Sequence, residues 1–134
     1  MLVRFSLSFA MVVLFVAGCS RQSPTVTVSG TVTYQDQPLA EASVSFIPID
    51  GGRPATGETD GSGRFTLTTF KSGDGALPGE HVVIVEKLQQ RKGDDVYAEY
   101  ESVIPKRYGH VKHSDLKADV VLRGSNEFVF ALQD

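Results

Sequence analysis

A chain of 134 residues has room for one ordinary domain and no more. Its 41% hydrophobic and 22% charged content is that of a globular protein, and a formal charge of −3 with both signs interspersed offers no basic stripe for nucleic acid. A single cysteine excludes an internal disulfide, so the fold must stand on a core that lacks tryptophan and draws on eight phenylalanines and many valines.

Residues 1–18, MLVRFSLSFAMVVLFVAG, carry the positive charge of Arg4 and then an apolar run from Leu7 to Val16. That run is shorter than the roughly 20 apolar residues that cross a bilayer. Its length suits the apolar part of a secretory signal. Ala17 and Gly18 supply the small residues of a cleavage site, and Cys19 follows directly. Val16-Ala17-Gly18-Cys19 resembles the lipobox of bacterial lipoproteins. The resemblance implies a diacylglycerol on the Cys19 sulfur and loss of residues 1–18, which makes the lipidated cysteine the first residue. Each buried acyl methylene then contributes about 0.8 kcal/mol of membrane anchorage. The competing readings are a plain signal peptide, or a buried N-terminal helix with an incidental cysteine. Removing residues 1–18 takes away Arg4 and no acid, leaving 12 bases, 16 acids and a formal charge of −4. Ser20 stands where an aspartate would, by the same resemblance, favour the inner membrane, so the outer membrane is the expected location. Residues 19–25 read as the lipidated cysteine and a short polar tether, and residues 26–133 as the domain.

Beyond the tether, strands and turns follow with no helical period. TVTVSGTVTY (25–34) alternates, with Val26, Val28, Gly30, Val32 and Tyr34 on one face, and Gly30 marks a bulge or close approach. QDQPLAE (35–41) is turn chemistry. ASVSFIPI (42–49) alternates again through Val44, Phe46 and Pro48. GETDGSGRFTLTTF (57–70) predicts a short edge strand, a glycine-rich turn and a strand that presents Phe65, Leu67 and Thr69 together. KSGDGALPG (71–79) is a loop and EHVVIVEK (80–87) a strong strand. ADVVLRGSNEFVFAL (118–132) predicts a closing hairpin turned at Arg123-Gly124-Ser125-Asn126. Regular strand spacing with Gly, Pro and Asp turns argues for an all-β, antiparallel sandwich of about seven strands. The exception is the charged stretch 88–117, without clear alternation, where a functional loop, a mobile segment or a short hidden helix is expected.

The motifs VSGTVTYQDQPLAEASVSFIPID, TDGSGRFTL and LPGEHVVIVEK, in that order, resemble the carboxypeptidase regulatory-like domain, a transthyretin-like (prealbumin-like) β-sandwich. Gly30, Val32, Pro38, Leu39, Ala42, Val44, Thr59, Asp60, Gly63, Phe65, Pro78, Gly79, Val83 and Val85 carry the match, and His81 stands where the family usually has tyrosine. The resemblance covers residues 26–88 and extends to the tail, as in small bacterial lipoproteins bearing this domain. It implies a fold and leaves the activity open, since function resides in sites.

Four groups of residues invite a chemical reading. Asp60-Gly61-Ser62-Gly63 suggests a calcium loop, but one aspartate falls short of the six to eight oxygens calcium takes, and a hairpin turn capped by Asp60 explains it. His110 and His113, with Tyr97, Tyr100 and Tyr108 nearby and His81 as a third nitrogen, resemble the two-tyrosine, two-histidine iron set of intradiol dioxygenases. The alternative is a solvated loop, because the pair sits among Lys112, Ser114 and Asp115. Asp94, Asp95, Glu99 and Glu101 could hold an acid/base pair or be a solvated charged loop. Finally, Tyr97, Tyr100, Lys106, Arg107 and Tyr108 combine the residue types enriched in recognition surfaces. Those rings serve either as a binding face or as a cover that completes the core.

No nucleophile motif is present, so the expectation is a non-catalytic module without a cofactor, anchored to membrane lipid through Cys19 and binding or scaffolding an envelope protein or polysaccharide. The alternatives are a small metal-dependent or hydrolytic enzyme using His81, His110 and His113, and a purely structural envelope module.

Overall fold

In the computed structural model, which describes residues 24–91, 96–97 and 99–134, the alternating runs become strands. Residues 1–23, including Cys19 and its apolar run, lie outside the described residues, as do Asp94 and Asp95. The strands are β1 (Ser29–Tyr34), β2 (Gln37–Pro38), β3 (Ser43–Pro48), β4 (Ala55–Glu58), β5 (Arg64–Thr66), β6 (Gly79–Glu86), β7 (Leu88–Gln90), β8 (Tyr100–Ser102), β9 (Lys117–Val120) and β10 (Glu127–Leu132). One 3-10 turn, Lys106–Gly109, follows β8. No helix among the described residues is long and apolar enough to cross a membrane.

Two sheets face each other across one core. In the first, β1 is central, with β10 on one side and β2 and β5 sharing the other. The second has the order β4-β3-β6-β9, antiparallel throughout. A separate antiparallel hairpin, β7-β8, stands off both. The alternation dictates the packing. Val28 and Val32 from β1 and its approach, Val44 and Phe46 from β3, Val83 and Val85 from β6, and Phe130 and Leu132 from β10 all bury inward. Phe46 is the hub, with ring centroids 5.6 Å from Phe128, 6.0 Å from Phe130, 6.2 Å from Phe65 and 5.8 Å from His81. Gly30 admits β1 to this cluster. A Cβ there would lie 2.3 Å from the Phe128 carbonyl oxygen and 2.6 Å from the Phe65 ring.

Three expectations are corrected. The segment 118–132 is not a hairpin, because β9 pairs with β6 in the second sheet and β10 with β1 in the first. Residues 121–126 cross between the layers, and buried Asn126 holds the crossing. Its Oδ1 accepts from the Val121 amide at 2.8 Å and its Nδ2 donates to the Val121 carbonyl at 2.9 Å. Both strands alternate toward the same core from opposite sides, which local sequence cannot tell from a hairpin. Second, the β1–β10 pair is parallel, so the antiparallel rule has one exception. Third, the stretch 88–117 holds more order than a loop. It contributes β7, β8, the 3-10 turn and the start of β9, which raises the strand count among the described residues above the expected seven.

Candidate functional site

The turn at 59–65 is structural. Asp60 Oδ1 accepts from the Ser62 hydroxyl at 2.7 Å, the Ser62 amide at 2.9 Å and the Arg64 amide at 3.0 Å. The Ser62 hydroxyl first, then the Arg64 and Ser62 amides, hold this carboxyl below the usual carboxylate range. Gly63 closes the turn at φ 78°. Thr59, just upstream and buried, accepts from the Ala42 amide through its hydroxyl at 2.9 Å and ties the turn to β3. Asp74 does similar service in the next loop. It accepts from the Thr69 amide at 2.7 Å and from the Phe70 and Lys71 amides at 3.0 Å, and its carboxyl is likewise held low, first by the Thr69 amide.

The three histidines are not brought together. His81 is buried at 1% exposure, near the β9 end of β6, where its register partners are Pro48 and Ala118. His110 lies at the other end of β6, beside Glu86, and forms an edge-to-face pair with exposed His113 at 6.0 Å. Five residues of strand separate the two ends, about 16 Å. Among the described residues no three His, Cys, Asp or Glu side chains are grouped to hold a metal ion. The Nδ1 of His81 donates to the Gly79 carbonyl at 2.9 Å, which leaves Nε2 as a buried acceptor without a partner among the described residues. Burial lowers the imidazole pKa, against smaller upward pulls from the Gly79 carbonyl and Asp119. The unfolded chain takes up this proton below about pH 6.5, whereas the native state resists it. Stability is therefore complete above that pH and declines as the pH falls through it. The urea midpoint is expected to be lower at pH 5.5 than at pH 7.5, and His81→Phe, which keeps a ring against Phe46, should flatten that difference. An unchanged difference in the variant would assign the proton uptake to another group.

The aromatic and basic cluster divides in two. Tyr108 turns inward at 4% exposure and joins the core. Its hydroxyl donates to the Gln133 carbonyl at 3.0 Å and accepts from the Gln133 amide at 3.0 Å and from the Arg107 guanidinium at 2.9 Å. Arg107 also donates to the Gln133 carbonyl at 2.6 Å and lies 4.5 Å over the Tyr108 ring. The segment 106–109 thus clamps the end of β10, and Gln133, outside every motif, gave no sequence signal of that role. Tyr97 and Tyr100 face outward at 88% and 67% exposure on the β7–β8 hairpin, and exposed Lys106 borders the same groove as Tyr100. Backbone bonds from the Val103 amide to the Lys87 carbonyl at 2.9 Å and from the Arg91 amide to the Glu99 carbonyl at 3.1 Å hold the hairpin's shape. Glu101 pairs with Arg91 at 2.9 Å, both exposed, a contact worth at most about 1 kcal/mol.

Two shallow grooves flank this hairpin. One, of about 260 Å³, is bordered by Glu86, Leu88, Tyr100, Ser102, Lys106 and His110. The other, of about 280 Å³, is bordered by Gln89, Gln90, Arg91, Glu101, Ser102 and Val103. An exposed ring, amides and charges of both signs around open grooves suit adhesion to a polar surface.

No family model and no curated protein matches this chain. Among solved structures it is similar to a 9R-lipoxygenase from Cyanothece PCC8801, with 14% sequence identity and a TM-score of 0.40. The likeness covers 83% of this chain and 16% of the lipoxygenase chain, so this chain spans about a sixth of that enzyme. Likeness at that level defines neither family nor activity.

Proposed function

We propose that this protein is an exported lipoprotein, fixed to the cell envelope through Cys19, whose β-sandwich acts as a non-catalytic binding or scaffolding module. The observation that carries the reading is Val16-Ala17-Gly18-Cys19 at the close of a charged and apolar leader, and the first backbone pairing among the described residues is the Val26–Ala76 bridge. Six residues lie between Cys19 and Val26, a reach of about 25 Å at full extension, so the module would stand close to the bilayer. Ser20, where an aspartate would favour the inner membrane, supports placement at the outer membrane. We read the sandwich as the transthyretin-like, carboxypeptidase regulatory type. In support, ten of the fourteen residues that carry that resemblance, Gly30, Val32, Leu39, Ala42, Val44, Thr59, Gly63, Phe65, Val83 and Val85, are buried, while Pro38, Asp60, Pro78 and Gly79 lie in turns and at strand ends. The surface assigned to a protein or polysaccharide partner is the β7–β8 hairpin with Tyr97, Tyr100 and Lys106, while Arg107 and Tyr108 are engaged at the end of β10.

Detergent phase partitioning with intact-mass measurement tests the anchor. The native protein is expected in the detergent phase, at a mass reduced by residues 1–18 and increased by lipid. Cys19→Ser is expected to keep its leader and carry no lipid mass. Equal masses without lipid in both proteins would overturn the reading.

A further inference from the structure

The edges of a sheet present rows of unpaired N–H and C=O groups, and most proteins blunt them. Here most edges are blunted. The outer edge of β4 is occupied by Thr68, which exchanges backbone bonds with Thr56 at 3.0 and 2.8 Å. β9 spans four residues and carries Lys117 and Asp119. β2 and β5 are two and three residues long, and β2 ends in Pro38. The β10 edge is different. It runs for six residues, EFVFAL, without proline or lysine, and no strand among the described residues pairs with its outer side.

The register identifies which groups are left open. The Ser29 amide donates to the Asn126 carbonyl at 3.1 Å and the Gln35 amide to the Leu132 carbonyl at 3.2 Å. Even-numbered residues therefore turn toward β1, and Glu127, Val129 and Ala131 turn their N–H and C=O groups outward. The open length is bounded at both ends, by Asn126 held on Val121 and by Gln133 held on Tyr108. Val129 is 73% exposed, and Phe128 remains only half-buried although it points toward the core.

We propose that β10 pairs antiparallel with β10 of a second copy of this chain, about a two-fold axis at Val129. The strand is self-complementary in that register. Val129 exchanges both backbone bonds with Val129 of the second copy, and Glu127 exchanges them with Ala131. On the core side Phe128 meets Phe130 of the second copy, which covers the half-exposed ring. No like charges oppose each other. Arg107, fixed on the Gln133 carbonyl two residues beyond Ala131, stands at the end where Glu127 of the second copy arrives. This pairing does not depend on lipid at Cys19.

Cysteine cross-linking in the full chain carrying Cys19→Ser, where the introduced thiol is unique, reads the register directly. A directly opposed, hydrogen-bonded pair has its Cα atoms about 5.5 Å apart, within disulfide reach. Val129→Cys is therefore expected to give a covalent dimer on mild oxidation. Glu127→Cys alone and Ala131→Cys alone, each roughly 13 Å from its own counterpart, should not, whereas a mixture of the two should. Val129→Lys sets two ammonium groups face to face. It is expected to shift the detergent-solubilised full chain from dimer to monomer in sedimentation, with an unchanged far-UV spectrum and melting temperature. Monomeric sedimentation of the parent chain, or equal cross-linking at residues 127, 129 and 131, would overturn the proposal.

Discussion

Tyr108→Ala is expected to lower the free energy of unfolding by about 3–5 kcal/mol, whereas Tyr100→Ala should change it by no more than about 0.5 kcal/mol. The two tyrosines lie eight residues apart, and similar sequence chemistry surrounds both. The second of them in the chain, Tyr108, is sealed under Arg107, and its hydroxyl holds three bonds, two to the Gln133 backbone and one from the Arg107 guanidinium. Removing the ring opens a cavity and also deletes the hydroxyl's bonds to the Gln133 amide and carbonyl, a net loss of about 0.5–1.5 kcal/mol for each. Tyr108→Phe separates these contributions, since it keeps the ring and deletes the hydroxyl. It should fall between the parent and the alanine variant in urea unfolding. Tyr100 exposes most of its surface to solvent, and its loss leaves no cavity. Tyr100→Ala is therefore the variant in which a change in partner binding can be read without a change in folding. Equal destabilisation by both alanine variants would place the hairpin in the core and remove it as a recognition surface.

Gly30→Ala is expected to cost about 3 kcal/mol or more, at or beyond the upper end for adding one methyl group to a packed interior. The added carbon meets the Phe128 carbonyl oxygen at 2.3 Å and the Phe65 ring at 2.6 Å. A flexible side chain could swing aside, but a carbonyl engaged in the β1–β10 ladder cannot. Relief requires β10 to slide or β5 to lift, and either movement loosens the phenylalanine cluster around Phe46. Urea unfolding followed by near-ultraviolet dichroism would show both effects. A midpoint within error of the parent would mean that the layers shift freely at this point.

The sequence made the strands readable because each buries one face. Alternating valines in TVTVSGTVTY and EHVVIVEK fall inward as expected, as do Phe65, Leu67 and Thr69. Pairing is another matter. Alternation tells a strand which side faces the core and nothing about its neighbour, so β9 and β10 read as a hairpin while belonging to different sheets. The β7–β8 hairpin was hidden for a related reason. Leu88, Gln89, Gln90, Tyr100 and Glu101 are all exposed, so no buried face imposes a period on them. Within the candidate site, residue types placed Tyr97, Tyr100, Lys106, Arg107 and Tyr108 in one neighbourhood. They could not say that Tyr108 points inward, since that depends on Gln133, 25 residues further along.

The parallel match of β1 and β10 runs over six positions, from Ser29 opposite Glu127 to Tyr34 opposite Leu132. A pull that enters at Ser29 and leaves at Leu132 drives the two strands along each other in opposite senses. Such a load falls in shear on the whole ladder at once, instead of peeling its bonds apart one after another. For a module tethered from the Ser29 side, the strongest resistance to extension would be met by a load that leaves through the end of β10.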